Sequence, residues 1–136
     1  MYTVLIVEDE PTLARNLASF LLRYGYAVAR AESGEEGLAQ LETFQPDALL
    51  LDFNLPGMTG LEMMAELRRR DSRAKVILMT GHDSDQVGID AMNAGAFAYF
   101  RKPVRLSGLK TVLDKAVGPH RLDHELAHSN RPGRMA

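Results

Sequence analysis

Residues 48–62 read Ala48-Leu49-Leu50-Leu51-Asp52-Phe53-Asn54-Leu55-Pro56-Gly57-Met58-Thr59-Gly60-Leu61-Glu62. An unbroken apolar run with no polar alternation suits a strand covered on both faces, and such strands belong to parallel sheets. The run ends on an acid, Asp52, and passes into a turn built from Asn, Pro and Gly. Thr59 and Glu62 then form a capping box that opens a helix running through Met64 and Leu67.

The same order of strand, turn and helix recurs on both sides. Val4–Val7 and Val76–Met79 are apolar runs of the same kind, while Tyr26–Ala29 and Ala96–Phe100 are weaker strands expected nearer the sheet edges. Leu13, Leu17, Phe20, Leu21 and Tyr24 recur at helical spacing, with Pro11 suited to the first turn and Gly25 to the stop. Ser33 and Glu36 predict a second capping box, for a helix through Leu38 and Leu41. Val87, Ala91 and Ala94 mark a fourth helix ended by Gly95. Leu106, Leu109 and Leu113 mark a fifth, expected to end at Gly118-Pro119. Five βα units predict an α/β fold, a doubly wound five-stranded parallel sheet with right-handed crossovers. The strand order 2-1-3-4-5 is not read from the residues; it is the flavodoxin-like order common at this size.

The chain has 136 residues, which suits one domain, here expected over 1–118 with a polar linker or tail over 119–136. A net charge of −2 gives no basic footprint for nucleic acid. The absence of cysteine excludes disulfides, thiolate metal sites and thiol nucleophiles, and fits a cytoplasmic location. The first residues lack a basic leader, which predicts no signal peptide, and no apolar stretch reaches the ~20 residues of a membrane span. The methionines Met58, Met63, Met64, Met79 and Met92 are expected to fill core. Arg68-Arg69-Arg70 is expected to close the third helix, where cations favour the dipole. His124-Glu125-Leu126-Ala127-His128 fits the H-E-x-x-H zinc pattern, but it lies in the expected polar tail, where a chance match is the expected reading.

In open α/β sheets, ligands bind beyond the carboxyl ends of the strands. Glu8, Asp9 and Glu10 follow the first strand, Asp52 and Asn54 the third, Thr80 the fourth, and Lys102 with Pro103 the fifth. Converging carboxylates repel one another and call for a cation. Oxygen-only ligands favour a hard ion such as Mg2+, with Asp9 and Asp52 as ligands and Glu8 acting through water. A carboxylate can also attack phosphorus to give an acyl phosphate. The transferred phosphoryl carries charge on three oxygens, which the metal, the Lys102 ammonium and the Thr80 hydroxyl could share. Taken singly, each residue has a plainer reading: Asp52 as a turn acid, Glu8 and Asp9 as the acidic start of a helix, Thr80 as a strand residue, Lys102 as a surface lysine.

In order along the chain, Val7-Glu8-Asp9-Glu10, Leu51-Asp52-Phe53-Asn54-Leu55-Pro56-Gly57-Met58-Thr59-Gly60, Met79-Thr80-Gly81 and Tyr99-Phe100-Arg101-Lys102-Pro103 resemble the receiver domain of bacterial two-component response regulators, the CheY-like family, over roughly residues 2–117. The resemblance implies that Asp52 is the phosphoacceptor. It implies that Asp9, Asp52 and the backbone carbonyl of Asn54 bind Mg2+, with Glu8, where the family often has Asp, in the outer shell. It implies that Thr80 and Lys102 bind the phosphoryl group, that Thr80 and Tyr99 are a switch pair, and that the Lys102-Pro103 bond is cis. A half-buried aromatic with no switching role is the plainer reading of Tyr99.

The implied partners are a sensor histidine kinase and an output protein or domain met through the fourth helix, fifth strand and fifth helix. A phosphorylation-dependent homodimer is a further expectation, and neither nucleic acid nor membrane is expected to bind directly. Met79-Thr80-Gly81-His82 and Ala91-Met92-Asn93-Ala94-Gly95-Ala96 look similar to receivers attached to sigma-54-dependent ATPase modules. On this reading the chain is not an enzyme beyond catalysing its own phosphorylation and dephosphorylation. The alternative is a metal-dependent phosphatase with an aspartyl nucleophile, but such enzymes place an acid where Asn54 stands. A flavin carrier would need a hydroxyl- and glycine-rich loop in place of Glu8-Asp9-Glu10.

Overall fold

The computed structural model of the chain describes residues 1–81 and 85–129, with side chains described through residue 118. Five strands alternate with five helices. They are β1 (Thr3–Val7), α1 (Pro11–Arg23), β2 (Ala27–Ala31), α2 (Gly34–Gln40), β3 (Ala48–Asp52), α3 (Gly60–Arg69), β4 (Lys75–Thr80), α4 (Asp85–Asn93), β5 (Ala98–Arg101) and α5 (Leu106–Ser129). The strands form one parallel sheet in the order β2-β1-β3-β4-β5, as the flavodoxin-like pattern predicts. The two weaker strands are indeed the edges.

Alternation within each strand splits the apolar side chains between two layers. Ile6, Leu50, Ile77 and Met79 face α1 and α5, where Leu17, Leu21, Leu109 and Leu113 complete one core. Leu5, Val7, Leu49, Leu51 and Leu78 face the other way, onto Leu38, Met63, Met64, Leu67 and Ala91. Leu49, Leu50 and Leu51 are fully buried, each contributing about 2 kcal/mol of apolar transfer. This double-sided burial is why the central strands carry no polar alternation.

The helix ends follow the capping chemistry with two changes. Thr59 accepts from the Glu62 N–H at 3.1 Å and the Glu62 carboxylate accepts from the Thr59 N–H at 2.8 Å, so the box on α3 is complete. On α2 Ser33 accepts from Glu36, but Glu36 turns back to the N–H of Glu32 rather than Ser33, so that box is not reciprocal. The expected stop of α5 at Gly118-Pro119 is not observed. Proline removes one backbone donor, and helix-favouring residues beyond it, among them Leu122, Glu125 and Ala127, carry the helix to Ser129. The H-E-x-x-H stretch lies on that extension, past the described side chains. His82 and residues 130–136 of the expected tail lie outside the described residues. Met63, Met64 and Met79 fill core as expected, whereas Met92 is 47% exposed on α4. Arg69 and Arg70 at the end of α3 pair with Glu66.

Candidate functional site

The carboxyl ends of β1, β3, β4 and β5 bring Glu8, Asp52, Thr80 and Lys102 to one rim. Local bonding fixes each of them. The Glu8 N–H donates to the Ala31 carbonyl at 3.0 Å, holding the chain beyond β1 against β2. Beyond β3, the Phe53 N–H donates to Met79 at 2.7 Å and the Phe53 carbonyl accepts from Gly60 at 2.8 Å, while Asn54 bridges to Thr59. The turn is tight enough that a β-carbon on Gly60 would stand 2.9 Å from the Asp52 carbonyl oxygen, so glycine is required there. The Lys102 N–H donates to the Thr80 carbonyl at 2.8 Å, and the Lys102-Pro103 bond is cis.

Glu8, Asp52 and Thr80 are each 3% exposed or less, and Asp9 is open to solvent. The Lys102 ammonium stands 2.9 Å from Glu8 Oε1 and 3.0 Å from Asp52 Oδ1. Glu8, Asp9 and Asp52 each present a carboxylate oxygen within 4.8 Å of one another. Burial raises Asp52 above its ordinary range. Hydrogen bonding and charge from Lys102 and the Asn54 N–H oppose the rise, and Asp9 adds to it. Burial likewise raises Glu8, against its bonds from Lys102 and the Glu10 N–H. Desolvation alone would lower Lys102, but its bonds to Glu8 and Asp52 leave it raised. Three carboxylates against one ammonium leave an acidic, oxygen-only cluster, a donor set that fits a hard divalent cation such as Mg2+.

Three of the residues singled out in the sequence sit differently from the rest. Glu8 is committed directly to Lys102, a contact the sequence analysis missed; it places Glu8 beside the ammonium rather than turned to solvent. Tyr99 lies outside the acid cluster. It pairs with Leu78 in the sheet, on the face that Thr80 continues, and its ring rests across Gly88 of α4. Glu10, counted among the rim acids, instead caps α1 through the N–H groups of Thr12 and Leu13. Pro11 directly after it was the available signal.

Comparisons with known proteins bear on the family and the fold. Residues 4–114 match the family described as the response regulator receiver domain. The positive alginate biosynthesis regulatory protein of Pseudomonas aeruginosa is 38% identical over 132 residues, 95% of this chain and 52% of that protein. The regulatory protein AtoC of Escherichia coli is 30% identical, over 92% of this chain and 27% of its own length. The chain thus spans about half or less of these curated relatives. A response regulator receiver domain protein from Clostridium thermocellum superposes with a TM-score of 0.83 at 31% identity, covering 90% of this chain and 98% of that one. A CheY-like receiver domain protein from Methanospirillum hungatei gives 0.81 at 30%, covering 89% and 98%. With the acid–lysine rim at the carboxyl ends of a sheet ordered 2-1-3-4-5, and a match over nearly all of that sheet, the chain belongs to the response regulator receiver domain family.

Proposed function

We propose that the chain accepts a phosphoryl group from a histidine kinase on Asp52, with Mg2+ held by Asp9, Asp52 and the Asn54 carbonyl, and that the modified form favours a second conformation. The observation that carries this reading is Lys102 standing within 3.0 Å of both Glu8 and Asp52, beside the solvent-facing Asp9. An Asp52 oxygen attacks phosphorus, forming a P–O bond as the P–N bond of a phosphohistidine breaks and its electron pair returns to the imidazole nitrogen. The Lys102 ammonium has three donors, so it can meet a phosphoryl oxygen while keeping a carboxylate partner. The Thr80 hydroxyl is the proposed third contact, and Thr80 with Tyr99 the proposed switch pair. Bound Mg2+ would neutralise charge on the phosphoryl oxygens.

Asn54 carries an amide that cannot transfer a proton, which favours a resting phosphoryl group over rapid turnover. The phosphatase alternative finds no support beside the receiver match. One relative is named a DNA-binding transcriptional regulator, NtrC of Klebsiella pneumoniae. It supports an output in transcription, reached through α4, β5 and α5 by docking or dimerisation, with no nucleic acid bound by these residues themselves. Among the described residues no helix is long and apolar enough to cross a membrane; the cytoplasmic location is part of the proposal and is supported by the receiver-family match.

The test is incubation with acetyl phosphate and Mg2+, read by intact mass. One added phosphoryl group is expected in the parent and none in Asp52→Asn. An absent adduct in the parent, or an equal one in the variant, would sink the reading.

A further inference from the structure

Gly88 is buried inside α4, where glycine is a poor choice on backbone entropy alone. The inward face of the helix there is made of Gly88 and Ala91, three residues apart, and the ring of Tyr99 from β5 fills the space that a side chain at 88 would take. A β-carbon at that position would lie less than 3.0 Å from Cζ, Cε1 and the phenolic oxygen of Tyr99. The Tyr99 backbone is fixed by pairing with β4, so it has little room to yield. The ring is rigid and its χ1 wells are discrete, so a lost socket sends it to another rotamer rather than a few tenths of an ångström aside.

We propose that Gly88 is the positioning residue for Tyr99. Its missing side chain forms a socket that holds the ring against α4, on the sheet face shared with Thr80. The size of residue 88 then sets how strongly the ring prefers this position. The socket stands on the packing alone; its consequence for signalling rests on the proposed Thr80–Tyr99 switch.

Two measurements test the socket. The first is a urea-denaturation cycle of the parent, Gly88→Ala, Tyr99→Ala and the double variant. Removing the ring should free alanine's helical preference, so Gly88→Ala should raise the midpoint more in the Tyr99→Ala background than in the parent. Additive midpoints overturn the socket. The second uses 3-fluorotyrosine and fluorine NMR, with the Tyr99 resonance assigned by Tyr99→Phe. Gly88→Ala should move that resonance and leave those of Tyr2, Tyr24 and Tyr26 in place. An unmoved Tyr99 signal overturns the proposal even if stability changes.

For the consequence, acetyl phosphate with Mg2+ should move the parent's Tyr99 resonance toward its position in Gly88→Ala, and should move it at least twofold less in that variant. A phosphorylated parent whose Tyr99 signal stays put overturns the link to signalling while the socket stands. A missing adduct is seen separately by mass and counts against the Asp52 reading, not against Gly88.

Discussion

At the carboxyl edge of the sheet Lys102 stands between Glu8 and Asp52; at the amino edge Lys110 shares Asp114 with Tyr26. Both are lysine–carboxylate clusters tying distant parts of the chain together, yet their balance is opposite. At the carboxyl edge one ammonium serves two buried acids with a third beside them, and burial wins, so Glu8 and Asp52 are raised. At the amino edge one acid receives two donors, Lys110 at 2.6 Å and the Tyr26 hydroxyl at 2.5 Å. Burial would raise Asp114, but these two bonds outweigh it and the carboxyl ends below its ordinary range. Tyr26 is pushed up, by burial first and then by Asp114. Lys110 further lies 4.9 Å from the Tyr24 ring centroid, and that ring is 5.0 Å from Phe20. A satisfied cluster holds α5 to the start of β2. An under-neutralised one is what the proposed cation and phosphoryl site requires.

The comparison breaks most decisively at Asp52. Asp52→Asn should abolish the phosphoryl adduct that the proposed function expects by mass, and should raise the urea midpoint at neutral pH, because it removes a carboxylate whose burial is unfavourable. The sign follows from its raised pKa. Asp52 favours the fold fully below about its ordinary value of 3.8 and loses that contribution as pH rises through the folded value. Urea midpoints from pH 3 upward should therefore decline less in Asp52→Asn than in the parent. Asp114, being lowered, should act in the reverse sense, its contribution present above 3.8 and lost on acidification.

Next in size is Lys102→Met, which leaves Glu8 and Asp52 buried without their cation. The loss should be about 2–3 kcal/mol in urea unfolding, below the cost for a wholly buried pair because the Lys102 side chain is 26% exposed. Adding Asp52→Asn should recover much of it; equal instability in the double variant would mean that the two acids are not competing for one ammonium. Tyr26→Phe removes one of two donors to Asp114 and should cost about 1–2 kcal/mol while leaving the adduct unchanged. Smallest is Lys110→Met, at about 0.5 kcal/mol, since Asp114 is 45% exposed and keeps Tyr26. A larger loss there than at Lys102 would reverse the ranking of the two edges.

The central strands were legible because burial on both faces leaves only apolar residues, so Leu49-Leu50-Leu51 announces itself without neighbours. The edges were less so. Most of β2 is only partly buried, its residues neither alternate nor run apolar, and its bounds fall later than the pattern suggests. In the site, acids at strand ends were readable from position alone. The Glu8–Lys102 bond was not, because it joins residues 94 apart and depends on the reach of a glutamate. Glu10 as a cap was signalled only by Pro11 after it, because glutamate is not among the favoured cap residues. Gly88 was readable only as an odd residue inside a helix; its reason lies in a ring on another element. The passage of α5 through Gly118-Pro119 shows a strong local stop signal overridden by the helix formers beyond it.

Asp52 closes β3, which has β1 on one side and β4 on the other, and the amide just after it is bonded to Met79. In the language of amide exchange, the proposed acceptor sits at the end of a strand that should be among the last to exchange its protons. Modification there is poorly placed to work by melting its own strand. On the proposed function it would be read by elements that open at lower cost, and the edge strand β5, with α4 across it, is where slow exchange should first quicken or slow on treatment with acetyl phosphate and Mg2+.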